Sequence, residues 1–200
     1  MSQPPEPPPS LLVALGAITV VSGFVDAVSY LGLGHVFTAN MTGNVVLIGF
    51  AAAGAPGFSV TASLSALGCF LVGAVAGGRV ARHVRPARRL LLTALLIEAS
   101  FTAVAAIVGA AVPAIGSGWP RYCVIALLAF AMGLRNAAVR HLGVSDMTTT
   151  VLTMTLTGLA SDSSLAGGTN PNAGRRAASA LCMFGGALVG AVLVLHVHPA

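Results

Sequence analysis

The chain contains no lysine, and only 8% of its 200 residues are charged. Soluble domains carry about a quarter charged residues, so a water-facing globular surface is excluded. Aromatic residues are scarce at 6%, and five acids stand against ten basic residues, all of them arginine. The resulting net charge of +5 does not form a nucleic-acid footprint. The arginines sit mostly beside apolar runs, where they anchor loops to an anionic membrane face, and nucleic acid is not an expected partner. Cysteine is limited to Cys69, Cys123 and Cys182, an odd number inside apolar runs, which reads as small core residues and excludes a disulfide framework. No HExxH, GxSxG, P-loop or dinucleotide fingerprint occurs, and His35, His141 and Asp146 lack ligand spacing, so neither a metal nor a cofactor is expected.

What the chain has in quantity is apolar sequence: 56% hydrophobic residues and a mean hydropathy of +0.91. A hydrocarbon core about 30 Å thick takes roughly 20 apolar residues per helix. Segments of that length run from Leu11 to Leu31, Phe58 to Gly78, Leu90 to Val112, Tyr122 to Leu142 and Ala177 to Leu195, with Ser10 as a candidate cap for the first. Two shorter segments, Thr38 to Ala55 and Met147 to Ala160, mix polar and apolar residues. The expectation is an all-α polytopic membrane bundle of about seven helical segments, five to seven of them full spans. Residues 1–10, with five prolines and no Lys or Arg, lack the basic start of a signal peptide and are expected to be a disordered tail. Residues 11–200 form one transmembrane domain.

Two parts of that domain repeat each other. Gly23–Ala27 pairs with Gly133–Ala137 at an offset of 110, Thr38–Gly43 with Thr153–Gly158 at 115, and Cys69–Gly77 with Cys182–Gly190 at 113. Three matches in order at nearly one offset indicate a 3+1+3 plan: repeat A over 11–78, a connector helix over 90–112 and repeat B over 122–195. If the short segments cross fully, the copies are parallel; if they dip in and return, the copies are inverted. With the Arg79, Arg82, Arg85, Arg88 and Arg89 cluster fixing the inside, full crossing places seven arginines inside and three outside, whereas re-entry places nine inside and one outside. Arginine-rich loops stay in the cytoplasm, so the charge distribution favours re-entry. Gly73 and Gly77, with Gly186 and Gly190, form small-xxx-small faces expected to bring helices three and seven together.

A charged side chain at the bilayer centre costs about 2.5 to 3.5 kcal/mol on insertion scales, so Asp26, Glu98 and Arg135 unpaired would together cost roughly 8 to 10. They are expected to face the interior, pair, become neutral or reach water. Asp26 and Asn136 occupy matching places in the two copies, which suggests a polar centre, although interhelical hydrogen bonding alone would also account for them. Thr38 and Thr42, Asn40 and Asn44, and Thr149, Thr153 and Thr157 are spaced by four, placing each set on one helix face. Each Thr alone can bond back to its own helix; their density is what points to a lined cavity. Free N–H groups near Thr38 and Thr148 would suit an anionic or carbonyl-bearing substrate. Arg135 is a candidate for substrate binding, for pairing with Asp26 or Glu98, or for snorkelling. Asp26 and Glu98 are candidates for proton coupling.

The stretches GFVDAVSYLGLGHVFTANMTGN, residues 23–44, and RNAAVRHLGVSDMTTTVLTMTLTGLASD, residues 135–162, resemble the signatures of the YoaK family of bacterial integral membrane proteins, a domain of unknown function. The similarity extends over most of the chain after the proline tail. It implies a multi-pass protein of the bacterial inner membrane and brings no substrate, reaction or catalytic residues with it.

The leading expectation is a small-molecule secondary transporter or permease with its site between the repeats, lined by Asp26, Thr38, Asn40, Thr42, Asn44, Arg135, Asn136, Thr149, Thr153 and Thr157. Its partners would be the lipid bilayer and an unidentified small solute, and a homo-oligomer is compatible with this reading. The alternatives are a membrane-embedded enzyme acting on a lipid-like substrate with Asp26 or Glu98 as acid or base, and an accessory or sensor protein without turnover.

Overall fold

The computed structural model describes residues 8–112, 118–143 and 152–197. Seven α-helices follow in order: α1 (Pro9–Gly32), α2 (Met41–Ala52), α3 (Val60–His83), α4 (Ala87–Ala111), α5 (Gly118–His141), α6 (Leu152–Ser161) and α7 (Ala173–Val197), with a 3-10 turn at Ser164–Ala166. No strand occurs among the described residues. Five helices, α1, α3, α4, α5 and α7, are long and apolar enough to cross a membrane. At about 1.5 Å per residue, the 12 residues of α2 and the 10 of α6 reach only about half of a 30 Å core.

The first helix starts earlier than its apolar run suggests. Pro8 is its N-cap and Pro9 its first residue, because proline's missing N–H is an orphan at N1 in any case and its fixed φ suits the helix. Ser10 therefore lies within α1 and does not cap it. The helix reaches into the expected 1–10 tail, of which residues 1–7 lie outside the described residues. The segment expected from Met147 to Ala160 has its helix at Leu152–Ser161, with 144–151 likewise outside them.

Glycine seams set the packing. A Cβ on Gly73 would collide with the Phe130 carbonyl, one on Gly77 with that of Leu134, and one on Gly133 with that of Phe70. These contacts join α3 to α5 as parallel neighbours with backbones in direct approach. In α1 and α7, Gly186 meets the Val20 carbonyl, Gly190 that of Phe24, and Gly23 that of Met183, again with the chains parallel. The two small-residue faces thus serve no seam between α3 and α7, as their sequence resemblance led one to expect; each receives a first helix instead. Residue for residue, the two seams are built alike, with Gly73, Gly77, Gly133, Phe130 and Phe70 standing where Gly186, Gly190, Gly23, Val20 and Met183 stand in the other.

α4 lies along α5, where Leu90 and Ala94 pack with Leu134 and Ala138, and Phe101 lies 4.9 Å from Phe130. α5 is the central helix, with 61% of its apolar window buried, against 17% for α7. α1 and α5 meet mainly through side chains and run antiparallel. The Arg121 guanidinium donates to the Gly34 carbonyl at 3.2 Å beyond the end of α1, and Arg135, towards the end of α5, reaches Ile18 and Ser22 near the middle of α1.

These contacts also fix how α2 runs. His35 Nδ1 lies 2.9 Å from the Gly57 carbonyl, and Phe58 sits 5.5 Å from His35 and 5.6 Å from Phe50 in the last turn of α2. The end of α1, the end of α2 and the start of α3 therefore share one face of the bundle, so α2 enters and leaves on that side. On the opposite face, Arg176 at the start of α7 donates to Gly158 O and to Asp162, both at 2.7 Å, holding the end of α6 there. That face carries Arg79, Arg82, Arg85, Arg88 and Arg89 with Arg140, Arg175 and Arg176, while Arg121 lies at the other.

Candidate functional site

The polar centre is assembled from α1, α4 and α5. Arg135 is completely buried. Its Nη1 pairs with Glu98 Oε1 at 2.9 Å and reaches the Ile18 carbonyl at 3.5 Å; its Nη2 donates to Ser22 Oγ at 2.7 Å and to Asn136 Oδ1 at 3.2 Å. Arg135 thus pairs with Glu98 and does not snorkel. A guanidinium offers five donors in a rigid fork, which lets one side chain tie three helices together in a medium without water. Ser22 is its unforeseen partner: it donates to the Ile18 carbonyl at 3.0 Å in the usual helical manner and still has a lone pair for Arg135.

Asp26 has a different task. It is buried in α1, and its Oδ1 accepts from three consecutive amides, Thr38 at 3.1 Å, Ala39 at 2.7 Å and Asn40 at 3.4 Å. A carboxylate placed before the first turn of α2 satisfies donors that would otherwise be orphaned in hydrocarbon and complements the positive end of the helix dipole. Asn40 caps α2 by accepting from Gly43 N at 3.1 Å. Asn44 closes the same elbow: its Oδ1 accepts from Phe37 N at 3.0 Å and its Nδ2 donates to Phe37 O at 2.6 Å. Ser29 completes it, donating to the Asp26 carbonyl at 3.2 Å and lying 3.5 Å from Thr38 Oγ1. The amides near Thr38, expected to be free for an anionic group, are taken by Asp26.

The structure thus brings Asp26, Thr38 and Asn44 together at the α2 elbow, and Arg135, Asn136 and Glu98 in the adjoining cluster. Asp26 and Arg135 are near enough for their charges to interact. Asn40 and Thr42 lie on the exposed side of the elbow, and Thr153 and Thr157 are exposed on α6, whose buried residue is Thr155. Thr149 falls outside the described residues. Ser22 and Ser29 were missed because an isolated hydroxyl in an apolar helix has no distinguishing pattern. Among the described residues no group of three His, Cys, Asp or Glu side chains is placed to hold a metal. A separate apolar groove of about 640 Å³, lined by Leu64, Cys69, Phe101, Tyr122, Cys123 and Phe130 among others, opens between α3, α4 and α5 and contains none of the expected site residues.

Comparison with known proteins agrees with a membrane protein. The chain is 35% identical over 152 residues to the UPF0700 transmembrane protein YoaK of Bacillus subtilis (strain 168), a match covering 74% of this chain and 65% of the relative. It therefore spans just under two thirds of that protein's length. No solved structure matches. The family model described as "Protein of unknown function (DUF1275)" matches residues 14–200; this multi-pass integral membrane chain belongs to that family, the one that includes YoaK.

Proposed function

We propose that this protein is a secondary transporter of a small solute in a bacterial cytoplasmic membrane, built from two inverted copies whose polar residues meet between α1 and α5. The observation that carries this reading is the equivalence of the two glycine seams across antiparallel α1 and α5. Exchanging repeat A with repeat B turns the α1–α7 seam into the α5–α3 seam, and α2 against α3 into α6 against α7. Inverted copies enclosing interrupted, half-length helices are a recurring plan of secondary transporters, with the site at the copy interface near the midplane. The arginine distribution, with Arg121 alone opposite the rest, supports placing the start of α1 and the end of α3 in the cytoplasm.

The seams also bear on which parts move. Each third helix is locked to the first helix of the other copy, so the rigid bodies are α1 with α7 and α3 with α4 and α5. Rocking would open the side-chain seam between α1 and α5, where Ser22, Asp26, Arg135 and Asn136 lie. A solute reaching that seam would meet these groups together with Thr38 and Asn44; Asn40, Thr42, Thr149, Thr153 and Thr157 would line its approaches.

The test is a thermal-shift screen of the purified chain against metabolites, followed by flux in proteoliposomes. A ligand that binds only the folded state raises its melting temperature by mass action. The expected result is a solute whose stabilisation and flux are both lost in Asp26→Asn and Asn136→Ala while the protein stays folded. Flux unchanged in both variants would remove the polar seam as the site.

A further inference from the structure

We propose that the buried cluster binds one monovalent cation, a proton or a sodium ion, at Glu98 Oε2 beside Thr102 Oγ1. Charge is the first argument. Asp26 from α1 and Glu98 from α4 face a single guanidinium, Arg135 from α5, and all three residues are at least 95% buried. With every group ionised the cluster carries one negative charge in excess, in a medium where an uncompensated charge is strongly disfavoured. Among the described residues no further charged side chain lies near the cluster on the surrounding helices: Arg79, Arg82 and His83 are at the end of α3, Arg88 and Arg89 at the start of α4, Arg121 at the start of α5, and Arg140 and His141 at its end.

The hydrogen bonds locate the excess. Asp26 commits its Oδ1 to the three amides before α2. Glu98 commits Oε1 to Arg135, whereas its buried Oε2 has no hydrogen-bond partner among the described residues. One turn further along the same face of α4, the Thr102 hydroxyl is also buried without a partner. This is unusual within the molecule. Thr19, Ser22 and Ser100 each donate to the carbonyl four residues earlier, at 2.8 to 3.0 Å, the ordinary solution for a hydroxyl in an apolar helix. Residues i and i+4 share a helix face, so a buried carboxylate oxygen and a buried hydroxyl oxygen stand one turn apart on one face of α4, each without a partner among the described residues. Oxygen donors of this kind suit a proton on the carboxyl or a small hard cation between the two. Binding the cation would neutralise the cluster, and its release would leave the Arg135 pairing carrying the surplus charge. Its role as the coupling ion rests on the transporter reading; its binding does not.

Two measurements on the purified full-length chain separate the forms, and neither needs a transported solute. A bound proton gives a protonated-carboxyl C=O band in the infrared at neutral pH that disappears in Glu98→Gln and changes frequency in Thr102→Val. A bound sodium ion gives no such band but a higher melting temperature in sodium than in choline, lost in both variants. Should Glu98→Gln fail to fold, Thr102→Val decides alone, because it preserves side-chain shape and leaves the ion pair intact. The proposal is overturned if the wild type shows neither signal, or if the signal survives Glu98→Gln or is indifferent to Thr102→Val.

Discussion

The two short helices differ in the contacts that the described residues make to them. α2 is fastened from inside: a buried carboxylate takes three amides ahead of it, Asn44 pairs with the Phe37 backbone on both edges, and Leu47 is buried. α6 is fastened from its outer end. There Arg176 donates to Gly158 O and to Asp162, and the Asp162 side chain is 41% exposed. Buried polar contacts in a low-dielectric medium are strong and costly to break, whereas exposed ion pairs contribute little. The amide cradle ahead of α2 is therefore costly to open, and the ion pair at the end of α6 is cheaper to break.

The sharpest way to break this contrast is Asp26→Ala. It leaves the Thr38, Ala39 and Asn40 amides without their acceptor in a buried setting, and a loss of about 3 kcal/mol or more is expected, read as a large fall in melting temperature. Asn44→Ala removes both bonds to Phe37 and is expected to cost about 1 to 3 kcal/mol, with faster amide exchange confined to residues 37–44. Arg176→Gln acts on the other elbow. Its expected effect is faster hydrogen exchange at α6 with little change in global melting temperature, since local opening is read separately from unfolding. A global loss equal to that of Asp26→Ala would erase the difference between the elbows.

The smallest effect is that of acid. The hydrogen bond from Arg176 holds the Asp162 carboxyl below its ordinary value of 3.8, assisted by Ser161. A lowered carboxylate pKa gives stability that is fully present above the unfolded value and is lost as pH falls through the folded one. Opening at the end of α6, read as exchange relative to the intrinsic amide rate at each pH, is thus expected to be flat at neutral pH and to rise only below about pH 4. A rise near neutrality would mean that another group controls the elbow.

How much of this was legible in the sequence follows from what each signal reports. Hydrophobic length reports lipid contact, so the five long helices were found, with ends displaced by a few residues where Pro9 starts a helix or Arg82 and His83 extend one. Small-residue spacing reports that something approaches closely but not what: the faces of α3 and α7 were recognised, their partners were not. Charge in an apolar run reports interior placement, and Asp26, Glu98 and Arg135 are all buried. Which of them pair depends on helix rotation and depth, which no local pattern encodes. The threonine run is the least transparent case. A spacing of four selects a face, yet Thr153 and Thr157 lie on the exposed face of α6 and Thr155 on the buried one.

The crossed glycine seams have a consequence for biogenesis. α1 precedes its close neighbour α7 by the length of five intervening helices, so the earlier span must wait in lipid, its Gly23 notch unfilled, until α2 to α6 have been synthesised. Neither half possesses a complete set of neighbours. Separately expressed fragments cut between α3 and α4 would be unable to mature alone, and would recover only by threading into each other.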